Sequence, residues 1–170
     1  MPTEFSYEHV FRAPSTETIL AAYFDADHLA TQDKLADLVD RTVTEDHDDG
    51  AIRRTTWRVT AAKPLPVFVR PFVKGGRLSY FEAMTWRRKD DACDLTVTPD
   101  ILNGRVQIQA LYKLEKIGEN QIRRTYSGKV TVNITLLSGK IERGIVAEFE
   151  KSMAMMANCT QTWLDAHPAT

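Results

Sequence analysis

The sequence predicts an α+β fold in which a curved antiparallel β-sheet wraps around a long C-terminal α-helix, with two short helices after the first strand. Three observations carry this. Residues 104–117 and 121–135 alternate apolar and polar side chains with period 2, the mark of strands with one face in a core and one in water. Residues 138–166 change to a helical period, with Ile141, Ile145, Phe149, Met156 and Trp163 on one stripe. Turn-forming clusters punctuate the stretch between the N-terminal segment and that helix at strand-length intervals.

The first strand spans residues 4–13, where Phe5, Tyr7, His9 and Phe11 point one way and Ser6, Glu8, Val10 and Arg12 the other. Pro14 stops it, and Ser15 is placed to cap a helix carrying Ile19, Leu20, Tyr23 and Phe24 on one face. A second short helix is predicted over residues 27–33. Extended runs at 35–46 and 51–62 flank the turn His47-Asp48-Asp49-Gly50, with Gly50 in the left-handed position. Residues 63–76 are apolar but contain Pro64, Pro66 and Pro71, which excludes a central strand and makes this an ordered loop. Strands at 77–89, 93–98, 104–117 and 121–135 complete a six-strand meander. Ser138 is placed to cap the last helix, about 42 Å long over roughly 28 residues, and strands of ten to thirteen residues match that length. The wrapped sheet is the arrangement that buries both.

The chain has 170 residues, enough for a folded surface of about 8,500 Å² against about 28,000 Å² unfolded, so one domain over residues 1–170 is expected. With 22 Lys+Arg against 23 Asp+Glu, no basic footprint for nucleic acid is present. Two distant cysteines, Cys93 and Cys159, make neither a disulfide framework nor a CxxC motif. The longest uncharged stretch, 152–164, is thirteen residues, short of the roughly 20 that span a bilayer, and the N-terminus lacks a signal-peptide core. A cytoplasmic location is expected.

The order strand, two helices, meander, long helix resembles the helix-grip architecture shared by START lipid-transfer domains, birch-pollen-allergen-like proteins and polyketide cyclases. The specific residues are Phe5-Ser6-Tyr7-Glu8-His9 with Phe11 and Pro14, and Gly139-Lys140-Ile141-Glu142 opening the last helix. Together they resemble an uncharacterised bacterial domain-of-unknown-function family of that superfamily, over essentially the whole chain. The resemblance implies a deep cavity between sheet and helix for lipids, sterols, polyketides or other bulky apolar compounds. It carries over no catalytic residue.

Strand parity and the helix stripe give the candidate ligand-binding set: Tyr7, His9, Trp57, Tyr80, Glu82, Met84, Tyr112, Tyr126, Phe149, Ser152, Met153 and Met156. Aromatic and Met-rich linings with few polar groups suit apolar ligands; the competing reading is that the same side chains fill the core. His9, on an apolar strand face, requires a partner, and Glu82 is the inward carboxylate that parity offers, although Phe81 and Ala83 leave the facing of that strand open. Phe68 and Phe72 in the proline-rich loop are gating candidates, and basic residues beside them suit residues 63–76 to transient membrane-surface contact. No metal or cofactor is implied: Asp46-His47-Asp48-Asp49 project apart on a tight turn, and no nucleotide or hydrolase motif occurs.

Three functions follow. The first is binding or carriage of a small apolar, lipid-like ligand. The second is a cyclase, dehydratase or hydrolase in the same cavity with His9 and Glu82 as acid/base pair. The third is a co-chaperone-like interaction module, opposed by the polar outer face of Arg105, Gln107, Gln109, Lys113, Arg123 and Lys129.

Overall fold

The computed structural model describes residues 1–62, 67, 70–73 and 77–168. Seven strands form one antiparallel sheet: β1 (Thr3–Arg12), β2 (Leu38–Asp48), β3 (Ile52–Ala61), β4 (Ser79–Arg87), β5 (Ala92–Pro99), β6 (Val106–Gly118) and β7 (Gln121–Val132). The order β1-β7-β6-β5-β4-β3-β2 follows from hairpin connections alone, with β1 added beside β7. Two short helices, α1 (Thr16–Ala22) and α2 (Ala26–Leu35), leave β1, and α3 (Ser138–Ala166) ends the fold. The sheet is curved and unclosed, the helix-grip arrangement the alternation implied.

Local chemistry sets the element ends. The Ser15 side chain accepts from Thr18 N and Asp25 from Asp27 N and His28 N, so both short helices are capped. Asp48 belongs to β2, and the hairpin turns through Asp49, whose carboxylate accepts from Ala51 N and Ile52 N, and through Gly50 at φ +87°. The expected cap of α3 is corrected. Ser138 is the first helical residue, and Leu137 holds the cap position with no side-chain hydrogen bond. The helix is fixed instead from its first turn. Buried Glu142 accepts from Val132 N at 2.9 Å and from the Thr3 hydroxyl at 2.9 Å, tying α3 to the ends of β7 and β1.

Cross-strand register sorts the inner face into rows. One row runs Tyr7, Tyr126, Tyr112, Cys93, Trp86; its neighbour runs Phe5, Gly128, Ala110, Leu95, Met84, Thr55. Beyond it lies the row Thr3, Val130, Ile108, Val97, Glu82, Trp57. One end of the grip is plugged by α1 and α2: Phe11, Ile19, Leu20, Tyr23 and Phe24 are buried there, with Phe24 against Trp57 and Trp86 at ring distances of 6.0 and 5.9 Å.

His28 fastens α2 to α3. It is fully buried, and its Nε2 shares a 3.1 Å hydrogen bond with Thr160. Burial lowers its pKa to about 4, against a smaller opposing pull from Asp25. Between that value and about 6.5 the unfolded chain binds the proton that the folded chain refuses, so stability falls as pH falls through this window, by at most about 1.4 kcal/mol per unit. Urea unfolding of wild type and His28→Gln at pH 7.5, 6 and 5 should show the wild-type advantage shrinking with acidity. An advantage constant across these pH values would contradict this.

Among the described residues, no helix is long and apolar enough to cross a membrane.

Candidate functional site

The helix α3 does not lie centrally in the grip. Its close backbone contacts are with β1, β7, α1 and α2, while the inner faces of β3 to β6 stand across from it. Its two ends are buried, through Ile141 and Glu142 at one and Ala157, Cys159, Thr160 and Leu164 at the other. From Arg143 to Met156 no residue is fully buried, although Ile145, Val146, Phe149 and Met153 pack toward the core. The 29-residue helix is held at its ends, and its middle stripe, which faces the sheet, is only partly covered.

The register puts Tyr7, His9, Trp57, Tyr80, Glu82, Met84, Tyr112 and Tyr126 on the inner face. Trp57, Met84 and Tyr126 are fully packed and Glu82 is nearly so; Tyr7, His9, Tyr80, Tyr112, Phe149, Ser152, Met153 and Met156 are half-buried. Tyr112 and Tyr126 stack at 4.5 Å, Phe149 meets Phe5 edge-on at 5.5 Å, and the Tyr7 hydroxyl donates to Val146 O at 3.3 Å. Ser152 spends its hydroxyl on Phe149 O at 3.0 Å, an intrahelical bond. Phe68 and the Phe72 side chain lie outside the described residues, as does most of 63–76. The carboxylates of the 46–49 turn are engaged locally, Asp46 by Thr55 and Asp48 by Arg88.

His9 and Glu82 are not a pair. Glu82 shares its row with Thr3, six residues from His9 along β1 and four strands away, a separation along the strand of about 20 Å before curvature. The partner of Glu82 is Arg41 on β2, whose Nη1 donates to it at 3.1 Å while Nε and Nη2 bind Asp33 at 2.8 Å each. Arg41 also lies 5.5 Å from the centre of the Trp57 ring. Burial raises the Glu82 pKa against the pull of Arg41, and raises that of Tyr80 beside it. His9 packs its ring on Phe11 at 4.5 Å, and its pKa is lowered by burial and by the Arg124 charge.

Arg41, Asp33 and Arg124 are polar inner residues that sequence reasoning did not assign. Arg124 interrupts the apolar parity of Ile122, Tyr126 and Val130, and that interruption is its sequence signal. Arg41 had none, because β2 is a sheet edge exposed along most of its length and shows no clean alternation.

A wide cleft of about 670 Å³ opens on the outer face, lined by the outward residues Glu4, Ser6, Gln109, Leu111, Ser127 and Lys129 together with Phe5, Ala110 and Gly128 of the row between them. It lies behind the sheet, away from α3, and its lining offers no aromatic cage or buried charge.

With the geometry in place, comparison with known proteins separates fold from chemistry. No curated protein matches in sequence. Solved structures match in fold: the Zhui aromatase/cyclase from Streptomyces sp. R1128 superposes with a TM-score of 0.71 at 8% identity, covering 100% of this chain and 98% of that one. Norcoclaurine synthase from Thalictrum flavum, solved with dopamine and hydroxybenzaldehyde, gives 0.69 at 15% identity, covering 100% of this chain and 90% of that one. A START superfamily protein from Mycobacterium smegmatis gives 0.64 at 11% identity, with 96% and 97% covered. At such identities the likeness is one of fold, which hosts both catalysts and binders. Sequence itself points more narrowly: residues 6–164 match one family model, and the chain belongs to the family described as Protein of unknown function (DUF2505).

Proposed function

We propose that this chain, as a single domain over residues 1–170, binds or carries a small apolar, lipid-like ligand between the inner sheet face and the middle of α3. The observation that carries the reading is the uneven burial of α3. An amphipathic helix normally buries its stripe along its whole length, because each buried large side chain contributes about 1.5–3 kcal/mol. Here Ile145, Val146, Phe149 and Met153 stay half-covered opposite the half-covered aromatics Tyr7, Tyr80 and Tyr112. A ligand chain laid along that stripe removes the remaining apolar surface from water. Segment 63–76, with Phe68 and Phe72, belongs to the same proposal as the element that gates exchange, against a membrane surface when the ligand is a lipid.

Native mass spectrometry of gently purified protein, organic extraction of what it carries, and titration with a panel of fatty acids, sterols and aromatic polyketide-like compounds test the reading. Met153→Trp, which fills the space from the helix side, is expected to weaken binding by roughly tenfold or more while leaving the unfolding midpoint nearly unchanged. Protein that is empty as isolated and inert across the panel would overturn the proposal.

A further inference from the structure

Arg124 is a buried cation with no anion beside it. Only 5% of it is exposed, and among the described residues no carboxylate lies within ion-pair distance. Its Nη1 donates to the Tyr23 hydroxyl at 2.6 Å, its Nε has no partner, and the rings of Phe11, Tyr23 and Tyr112 surround the guanidinium at 5.0, 6.0 and 5.3 Å. The other buried or nearly buried charges of the fold are satisfied: Arg41 by two carboxylates, Glu142 by a backbone amide and a hydroxyl. Ring faces and one neutral hydroxyl offset only part of the desolvation of a guanidinium, which leaves Arg124 short of an anion.

Its place in the fold says where that anion comes from. Arg124 stands directly opposite His9 on β1 and Leu114 on β6, one row from half-buried Tyr7 and Tyr112. His9 beside it is held toward its neutral form by burial and by the Arg124 charge, so it adds no second cation there, and an imidazole brings no anion in either form. At the other end of the inner face, Asp33, Arg41 and Glu82 together carry two carboxylates against one guanidinium. The two ends differ: Arg124 lacks an anion, whereas the carboxylates of Asp33 and Glu82 are already paired with Arg41.

We propose that the ligand is an amphipathic carboxylate, with its headgroup paired to Arg124 and its apolar body running past Tyr7 toward Phe149 and Met153. A single planar guanidinium walled by rings matches a planar carboxylate, which two parallel N–H donors satisfy and one positive charge balances; a phosphate dianion carries more charge than one guanidinium neutralises. The inference rests on the apolar-ligand reading above and adds the headgroup and the orientation.

Dodecanoate and 1-dodecanol, the same chain with and without the charge, are titrated at pH 8 into wild type, Arg124→Gln and Arg124→Lys, following tryptophan fluorescence. Wild type is expected to prefer dodecanoate by roughly tenfold or more; Arg124→Gln loses the preference and Arg124→Lys keeps part of it. Equal binding of both compounds to wild type overturns the carboxylate proposal and leaves the apolar-ligand reading standing. Binding of neither overturns both. Should Arg124→Gln fail to fold, the wild-type pair decides alone, and Arg124→Lys reports whether the charge carries the preference.

Discussion

Gly128→Ala is expected to lose about 4 kcal/mol or more of stability, enough to leave much of the protein unfolded. A Cβ at this position would sit 2.3 Å from Gln109 O and 2.8 Å from both Cα and Cβ of Ala110. Two of these three obstacles are backbone atoms of the neighbouring strand, so no rotamer change relieves the overlap. Gly128 faces Ala110 across the β6–β7 ladder and Phe5 across β1–β7. The small pair lets β6 and β7 approach closely on the inner face. Urea unfolding monitored by circular dichroism measures the loss; a midpoint within error of wild type would show that the close approach is not required.

Arg41→Met is expected to cost about 3–5 kcal/mol at pH 8, because it strands Asp33 and Glu82 without their shared cation. Both carboxylates are nearly buried, with 12% and 16% of their side chains exposed. Burial already raises the Glu82 pKa, and removing Arg41 raises it further. The sign follows from proton counting. A carboxyl with a folded pKa above its unfolded value binds its proton more readily in the folded state, so the variant gains stability as pH falls through the folded pKa toward the unfolded value. The gap to wild type is therefore wider at pH 8 than at pH 5. Glu82→Gln is milder, since Arg41 keeps its two bonds to Asp33. A small, pH-independent loss in Arg41→Met would mean that water, not Arg41, solvates the two acids.

Much of this architecture was legible in the residues because its signals are local. Alternation in β6 and β7, Ser15 at the head of α1, Gly50 in the hairpin and the stripe of α3 each depend on neighbours a few positions away. Parity also placed the aromatic inner face. What parity does not contain is distance across the sheet. His9 and Glu82 share an inner face and nothing else, since four strands and six residues of register separate them. The true partner, Arg41, lies on an edge strand whose pattern is blurred by register shifts near Leu38 and Val43. The start of α3 failed for a related reason: a tertiary contact, Glu142 to Val132 and Thr3, does the work that a local serine cap usually does.

The central claim, that the middle of α3 and the facing sheet enclose an apolar ligand, has a direct test in the five methionines. Met84 sits on the inner face of β4, and Met153 and Met156 on the inward side of α3, whereas Met155 is 39% exposed and Met1 is fully exposed. With ¹³C-methyl methionine labelling, titration of dodecanoate should shift the Met84, Met153 and Met156 methyl resonances in a saturable way and leave Met1 and Met155 in place. Inner methyls that stay fixed while the protein is titrated to ligand excess, or shifts confined to Met1 and Met155, would contradict it.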